Sequence, residues 1–343
     1  MSIAHARSTA ALRYVGLLCL MLCSSALSER TSERVRLVRH GHRIDVSIAG
    51  RPFTTYFFDP AQAKPYLQPL RTADGVIVTR DFPTGNLVPD GHQRDRSLEP
   101  HQRPLYFAHG DINGLNFWAE EAFARFYGPQ TLPYGRTVFR RLTAMSGGAD
   151  AGVLRAEFTL EGAREGAIGK ETQAFVFAGD ASTRTIDAAF TLTADHGPLT
   201  IGDTKEGAFA IRVAPELTAP AGRMINSRGG QGEQEIWGKQ AEWVEYDGTI
   251  GGKPVGVAIL DSPRNFRHPT YWHARGYGLF AVNPFGLRAF TGNESRDGRY
   301  TISPGASLTL RYRVVIHAGD YEQARIEDIY RGYAAKEQSA RDP

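Results

Sequence analysis

The sequence predicts an all-β protein, on two observations. Many short stretches alternate apolar and polar residues, which is the period of a strand with one buried face. Gly, Asp and Ser residues separate these stretches at short intervals, a spacing that is typical of a sandwich or a barrel. The expected strands cover residues 44–48, 53–58, 76–79, 151–160, 172–177, 185–193, 208–213, 241–246, 255–260, 278–282 and 307–317.

Two helices are expected among the strands. Residues 321–336 carry an apolar stripe that includes Ile326 and Tyr333, which predicts a C-terminal helix with one buried side. Residues 117–127 place Trp118 near other apolar side chains at helical spacing, although their aromatic content makes this pattern weaker.

The least regular stretch runs from residue 82 to 104 and is rich in proline and glycine. A long loop in a compact domain is usually functional. Residues 229–232 read Gly-Gly-Gln-Gly, which suits a lid hinge or an exposed turn.

Residues 1–28 have the pattern of a signal peptide. A basic start precedes an apolar run over residues 14–23, and Ala26-Leu27-Ser28 has the small-x-small form of a cleavage site. We therefore expect an exported protein, periplasmic or extracellular, with a single domain over residues 29–343. Both cysteines of the chain lie inside the signal, so the mature chain is expected to have no disulfide and no thiol nucleophile.

Composition limits the classes of partner. The net charge is +3, and basic and acidic residues are interspersed without the basic stripe that nucleic acid binding requires. No apolar run after the signal approaches 18 residues, so no membrane span is expected in the mature chain. The partner expected is a small molecule.

Two motifs share the spacing His-x-Arg. His101 and Arg103 lie between two prolines, and His273 and Arg275 follow a Tyr-Trp pair. In an extended chain, residues two apart share a face. Histidine transfers protons near neutral pH, and arginine offers a planar fork for oxygen ligands. The alternative for each motif is an ordinary charged loop.

A third motif reads Ala-His-Gly-Asp-Ile-Asn and contains His109, Asp111 and Asn113. The glycine permits a tight turn, so His109 and Asp111 can converge and the carboxylate can fix the tautomer of a general base. Equally, the motif can be a turn whose Asp111 caps backbone amides.

Four polar residues lie between glycines at 202–207, and they include Lys205 and Glu206. In an extended strand these two side chains point to opposite faces, so both enter one site only if the chain bends there. Glu206 is the leading candidate for a catalytic base, and a charged hairpin tip is the alternative.

The remaining ligand-binding candidates are Trp237 and Lys239, as part of a sugar-stacking wall, and Asn283, which can instead belong to a structural turn. Metal binding is the weaker hypothesis, because no His-x₃-His or His-Glu-x-x-His spacing occurs. No cofactor is predicted.

These strings, in this order, resemble the bacterial family catalogued as PmoA-like or DUF6807. The resemblance runs over roughly residues 44–335, and its strings include 64–71, 78–83, 101–118, 202–207, 237–243 and 271–286. One departure is visible, because the family's usual Asp-His-Pro-His-His-Arg reads Leu-Glu-Pro-His-Gln-Arg at residues 98–103. That change argues against a metal held by a shared histidine cluster.

The resemblance implies a secreted protein with a large antiparallel, mutarotase-like β-sandwich that acts on carbohydrate. Methane oxidation is rejected, because the membrane enzyme of that name is built from transmembrane helices. We therefore expect an epimerase, lyase or hydrolase with His/Glu acid–base chemistry, in which His109, Glu206, His101 and His273 are catalytic. The alternative is a non-catalytic sugar-binding or cell-envelope scaffold protein.

Overall fold

Alternating apolar residues build two eight-stranded antiparallel sheets. The computed structural model describes residues 34–81, 99–126 and 130–339. Strands are numbered β1 to β18 in chain order, and the first sheet has the order β1-β2-β3-β4-β5-β11-β16-β15. Its strands are β1 Val35–His40, β2 Arg43–Ile48, β3 Arg51–Phe57, β4 Tyr66–Gln68, β5 Leu105–His109, β11 Gly207–Arg212, β15 Tyr271–Ala274 and β16 Leu279–Asn283.

The second sheet has the order β12-β13-β14-β18-β9-β8-β7-β6. Its strands are β6 Gly135–Ser146, β7 Ala151–Gly162, β8 Gly166–Gly179, β9 Thr183–Thr193, β12 Arg223–Asn226, β13 Trp243–Ile250, β14 Lys253–Asp261 and β18 Ser307–Ala318. A separate pair joins β10 Leu199–Ile201 to β17 Tyr300–Ile302. Short helices occupy α1 Gly232–Ile236, α2 Leu287–Thr291 and α3 Tyr321–Ala324, and α4 spans Ile326–Ser339.

Aromatic side chains fill the space between the two sheets. Phe107 of β5 stacks on Phe190 of β9, with ring centroids 4.4 Å apart, and Phe209 of β11 stacks on Tyr312 of β18 at 5.0 Å. These contacts fix which face of the first sheet is inner. By strand alternation, the neighbours Tyr106 and Ala210 point to the outer face.

The C-terminal helix covers the outer face of the second sheet. Ile326 and Tyr333 of α4 are buried against Trp243, Leu260 and Val315. The predicted single helix is divided at Arg325, which has a left-handed φ of 56°. The predicted antiparallel β-sandwich with a C-terminal helix is confirmed.

Two local predictions differ from the structure. Residues 76–79 make isolated bridges at Ile77 and Thr79 in place of a regular strand. The helix expected over residues 117–127 is a 3₁₀-helix at Glu121–Phe126, because the Asn116 side chain accepts the Trp118 and Ala119 backbone N–H groups and so turns the chain before it. Residues 127–129 lie outside the described residues, as do the predicted signal peptide and residues 82–98 of the irregular stretch.

Glu171 is a carboxylic acid buried between the sheets. Its Oε1 accepts a hydrogen bond from Gln173, and Gln173 accepts one from Tyr56 of the facing sheet. Burial raises the pKa of Glu171 to about 7, with the Gln173 hydrogen bond opposing the shift. The folded protein therefore favours the protonated acid.

This burial predicts a pH-dependent stability that Glu171→Gln removes. Because the folded pKa of about 7 exceeds the ordinary glutamate pKa of 4.5, the folded state binds more protons between these two pH values, and stability falls as pH rises through them. The free energy of unfolding lost between pH 4.5 and 7 is about 3 kcal/mol. We expect Glu171→Gln to match wild type below pH 4.5 and to unfold at higher urea at pH 8. A wild-type midpoint that is constant between pH 5 and 8 contradicts this expectation.

Candidate active site

Small side chains form a floor on the outer face of the first sheet. Ala210 of β11 lies opposite Ala281 of β16, and Ala108 of β5 lies beside them. In the same register, Tyr106 stands on β5 at one side and His273 on β15 at the other. Three strand spacings separate the two positions by about 14 Å. We call this feature the alanine floor.

The β5 side of the floor is walled by aromatic rings. Trp118 packs against Tyr106 with centroids 5.0 Å apart, and against His101 at 6.3 Å. Gln102 donates a hydrogen bond to the Tyr277 hydroxyl at 3.2 Å. Burial, and next the Glu206 carboxylate, raise the pKa of Tyr106 well above its usual value, so this phenol stays neutral.

Four buried polar atoms on this face have no hydrogen-bond partner among the described residues. An unsatisfied buried group costs roughly 1–3 kcal/mol, so four in one region indicate a polar ligand. They are Gln102 Oε1, Tyr106 Oη, Trp118 Nε1 and His273 Nδ1.

One carboxylate–histidine pair lies at the β15 side. Glu206 Oε2 is 3.9 Å from His273 Nδ1. The chain bends at residues 205–206, so Lys205 reaches the other oxygen of Glu206 and both side chains share this face. Burial lowers the pKa of His273 to about 4, although Glu206 opposes the shift, so the imidazole is neutral at pH 7.

A second carboxylate–histidine pair lies at the β5 side. Glu99 Oε2 is 3.4 Å from His101 Nδ1. Burial, and next the charge of Glu206, raise the pKa of Glu99. Burial and the neighbouring cations, of which Lys64 and Arg80 act most strongly, hold the pKa of His101 well below its usual value. The two carboxylates are therefore close enough to influence each other.

Arg103 belongs to a buried ion-pair cluster beneath the aromatic wall. Its Nε donates to Glu120 at 2.9 Å, and Lys64 Nζ lies 3.0 Å from the same carboxylate. The guanidinium also stacks 4.8 Å from the centroid of Tyr66, and Lys64 lies 5.2 Å from that of Tyr106. This geometry makes Arg103 a support for the wall.

A cavity of about 850 Å³ lies beside this cluster, lined among others by Phe57, Tyr66, Phe123 and Tyr134. Arg103 and Glu120 also line it, but they bind each other there. The alanine floor, with two carboxylates and two imidazoles, is better suited to proton transfer.

His109 points the other way from the floor. It shares the inner face of β5 with Phe107, is 2% exposed, and bonds through Nε2 to the Gly202 carbonyl at 2.8 Å. Its ring packs edge-on against Phe285. Burial lowers its pKa to about 4. His109 is thus placed in the core, away from His101 and His273, because β5 alternates.

Several predicted ligand-binding residues hold loops in place. Asp111 accepts the Gly114 N–H, and Asn113 binds the backbone of Pro198 and Thr200. Asn283 donates to the carbonyls of Thr204 and Lys205, and so fixes the loop that presents Glu206.

The other predicted residues lie around β15. Arg275 pairs with Glu233 at 3.1 Å and approaches the Tyr277 ring. Trp237 packs on Phe290, and exposed Lys239 lines a separate cavity. Among the described residues, no group of three or more His, Cys, Asp or Glu side chains is placed to hold a metal ion.

Sequence reasoning missed Glu99, Tyr106 and Tyr277. Glu99 carried a usable signal, because a carboxylate two residues before His101 is close to it in sequence; the structure brings the two together through a turn closed by the Gln102 N–H and the Glu99 carbonyl. Tyr106 carried none, since its place depends on the register of three other strands.

Comparison with known proteins gives a family and a set of distant folds. The family model described as "Family of unknown function (DUF6807)" matches residues 43–331. No curated protein matches the sequence. Within the described part of the chain, no helix is long and apolar enough to cross a membrane.

Solved structures align at low identity. A galactose mutarotase-like protein from Clostridium acetobutylicum is 12% identical with a TM-score of 0.44, over 83% of this chain and 98% of that one. A galactose mutarotase-like protein from Lactobacillus casei is 11% identical with a TM-score of 0.34, over 82% and 100%. An α-galactosidase from Lactobacillus brevis is 9% identical with a TM-score of 0.41, over 84% of this chain but 40% of the enzyme.

Proposed function

We propose that this chain, which belongs to the DUF6807 family of unknown function, is an enzyme that transfers protons on a sugar bound over the alanine floor. The observation that carries the proposal is the pair of carboxylate–histidine contacts, Glu99–His101 and Glu206–His273, on the two sides of that floor. Acid–base catalysis needs two titrating groups whose environments push their pKa values apart.

The roles follow from charge and burial. Glu206 is the proposed base, because its carboxylate is partly exposed and lies beside His273 at the β15 side of the floor. Glu99 is the proposed acid, because burial and Glu206 raise its pKa and so keep its proton to higher pH. The depressed pKa of His101 and His273 makes both imidazoles poor acids, so each is assigned the role of a neutral hydrogen-bonding group for the ligand.

A sugar is the ligand that suits this lining. Gln102 Oε1, Tyr106 Oη and Trp118 Nε1, which have no hydrogen-bond partner in the described part of the chain, are neutral donors and acceptors that match hydroxyl groups. Trp118 and Tyr106, each no more than 2% exposed, back this face with rigid apolar rings. Epimerases, lyases and hydrolases all share proton transfer at a sugar ring. Export, as the first 28 residues predict, is part of the proposal, and amino-terminal sequencing of the mature protein tests it.

Sugar binding without turnover is the second candidate. Lys205 donates a hydrogen bond to the Glu206 carboxylate and so already occupies one of its two oxygens. This observation favours a binding protein in which Glu206 accepts hydrogen bonds from hydroxyls.

The experiment that tests both is a thermal-shift screen of neutral and oxidised mono- and disaccharides, followed by a proton NMR time course on each sugar that stabilises the protein. We expect a stabilising sugar whose spectrum changes with time, since NMR distinguishes epimerisation, elimination and hydrolysis. Stabilisation without conversion supports the binding protein. A screen in which no sugar raises the melting temperature overturns the carbohydrate proposal.

A further inference from the structure

A cavity of about 500 Å³ lies at the outer edge of the first sheet, next to β15. It is lined by residues of β12, the α1 segment, β15 and α2, among them Tyr271, Phe290, Lys239, Gln240, Arg228 and Glu235. Its volume is within the range of small-molecule sites. It is separate from the alanine floor.

Aromatic rings make one side of this cavity. Tyr271 and Phe290 stack at 15°, with centroids 5.9 Å apart, and Trp237 packs edge-on against Phe290 at 5.8 Å. Rings held in this way form a rigid surface that costs little entropy when a sugar packs on it. The Trp237 Nε1 atom is buried and has no hydrogen-bond partner among the described residues.

The cavity also holds polar groups that are not used by the fold. Within the described ranges, the Lys239 ammonium makes no ion pair and the Tyr271 hydroxyl makes no hydrogen bond. The neighbouring polar residues of this cavity already have partners, because Arg228 pairs with Glu242 at 3.0 Å and Gln240 donates to the Pro269 carbonyl. Lys239 and Tyr271 are therefore available to a ligand.

The cavity continues the proposed active site along one strand. Tyr271 and His273 are two residues apart on β15, so their side chains share the outer face about 6.7 Å from each other. His273 in turn lies 3.9 Å from the Glu206 carboxylate. A ligand that reacts at Glu206 and extends past His273 reaches Tyr271 next.

We propose that the substrate is an oligosaccharide, with its reacting residue over the alanine floor and the adjoining residue against Tyr271 and Lys239. This inference rests on the proposed function, because it names the substrate class of the same site. A free monosaccharide fills the floor alone and leaves the second cavity empty.

The test measures how tightly the protein binds saccharides of increasing length, from mono- to hexasaccharides derived from cellulose, xylan, galactan and pectin. A printed array identifies the saccharides that bind, and calorimetry then gives their affinities. We expect affinity to rise on going from one residue to two or three. Tyr271→Ala should weaken the longer chains about tenfold, the upper range for a stacked ring, and leave the monosaccharide unchanged. Tyr271→Phe should keep most of the gain, because it keeps the ring.

The controls separate this inference from the proposed function. Lys239→Ala should weaken the longer chains, whereas Lys336→Ala, an exposed lysine on α4, should have no effect. If Tyr271→Ala does not fold, Lys239→Ala carries the test. Equal affinity for short and long chains, or equal weakening of both, overturns the oligosaccharide inference and leaves the floor as a monosaccharide site. Binding to no carbohydrate overturns both.

Discussion

Glu120→Gln is expected to lower the free energy of unfolding by about 3–5 kcal/mol, the cost of removing one partner from a buried ion pair. The carboxylate is 1% exposed and lies between Arg103 and Lys64. An amide keeps the shape of the side chain but removes the negative charge that faces both buried cations. The measurement is urea unfolding of the purified variant at pH 7.

The stability lost in Glu120→Gln should become smaller as the pH rises. Burial lowers the pKa of Lys64 to about 8, and Glu120 opposes that shift. Without Glu120 the pKa of Lys64 falls further below the ordinary lysine pKa of 10.5, so the folded variant gains stability as pH rises and the ammonium loses its proton. We expect a smaller difference from wild type at pH 9 than at pH 6.5.

The matched control is the next residue, Glu121, which is exposed. Glu121→Gln makes the same chemical change outside the cluster and should alter stability by no more than about 0.5 kcal/mol. If Glu120→Gln is as mild as Glu121→Gln, the cluster does not support the aromatic wall in the way described.

The sheets were predictable because their signal is local. Strand alternation in β7, β9 and the first part of β18 is visible in the sequence, since these stretches bury one face and leave the other partly exposed. Strands β5 and β15 were missed; like β11 and β16, which were predicted, they are buried on both faces and show little alternation, so burial pattern alone does not decide such strands.

The candidate site was partly predictable for a similar reason. His101, Glu206 and His273 could be chosen by residue type and by the unusual strings around them. His109 was chosen on the same grounds, but its face depends on the phase of β5, which only Phe107 packing on Phe190 reveals. The alanine floor depends on the register of four strands, and register is a property of the folded sheet.

Glu206→Gln is expected to slow turnover by about 10² or more, the usual scale for a general base. The amide keeps the size of the side chain and its position beside His273 but cannot accept the proton. Turnover is followed by NMR on the sugar identified in the screen. Because the walls of the site are unchanged, sugar affinity should stay within a few-fold of wild type.

Two control variants make this result specific. Glu216→Gln removes a charge from an exposed carboxylate and should leave turnover unchanged. His109→Asn tests the histidine that the sequence favoured as catalytic. Since His109 packs on Phe285 and bonds the Gly202 carbonyl in the core, the structure predicts a lower melting temperature with turnover retained per folded molecule.

Other outcomes for His109→Asn and Glu206→Gln would place the reaction elsewhere. If His109→Asn abolishes turnover in a protein of normal stability while Glu206→Gln remains active, the reaction occurs on the inner face of β5 and the floor is not the active site. If both variants retain turnover, Glu206 is a ligand for sugar hydroxyls and Glu99 becomes the candidate base. The pH dependence of turnover in Glu99→Gln then tests its role. Loss of the acidic limb of the profile identifies a base, and loss of the alkaline limb identifies an acid. Loss of turnover in Glu206→Gln alone places the proton transfer at the β15 side of the floor, because no other described carboxylate lies within 4 Å of His273.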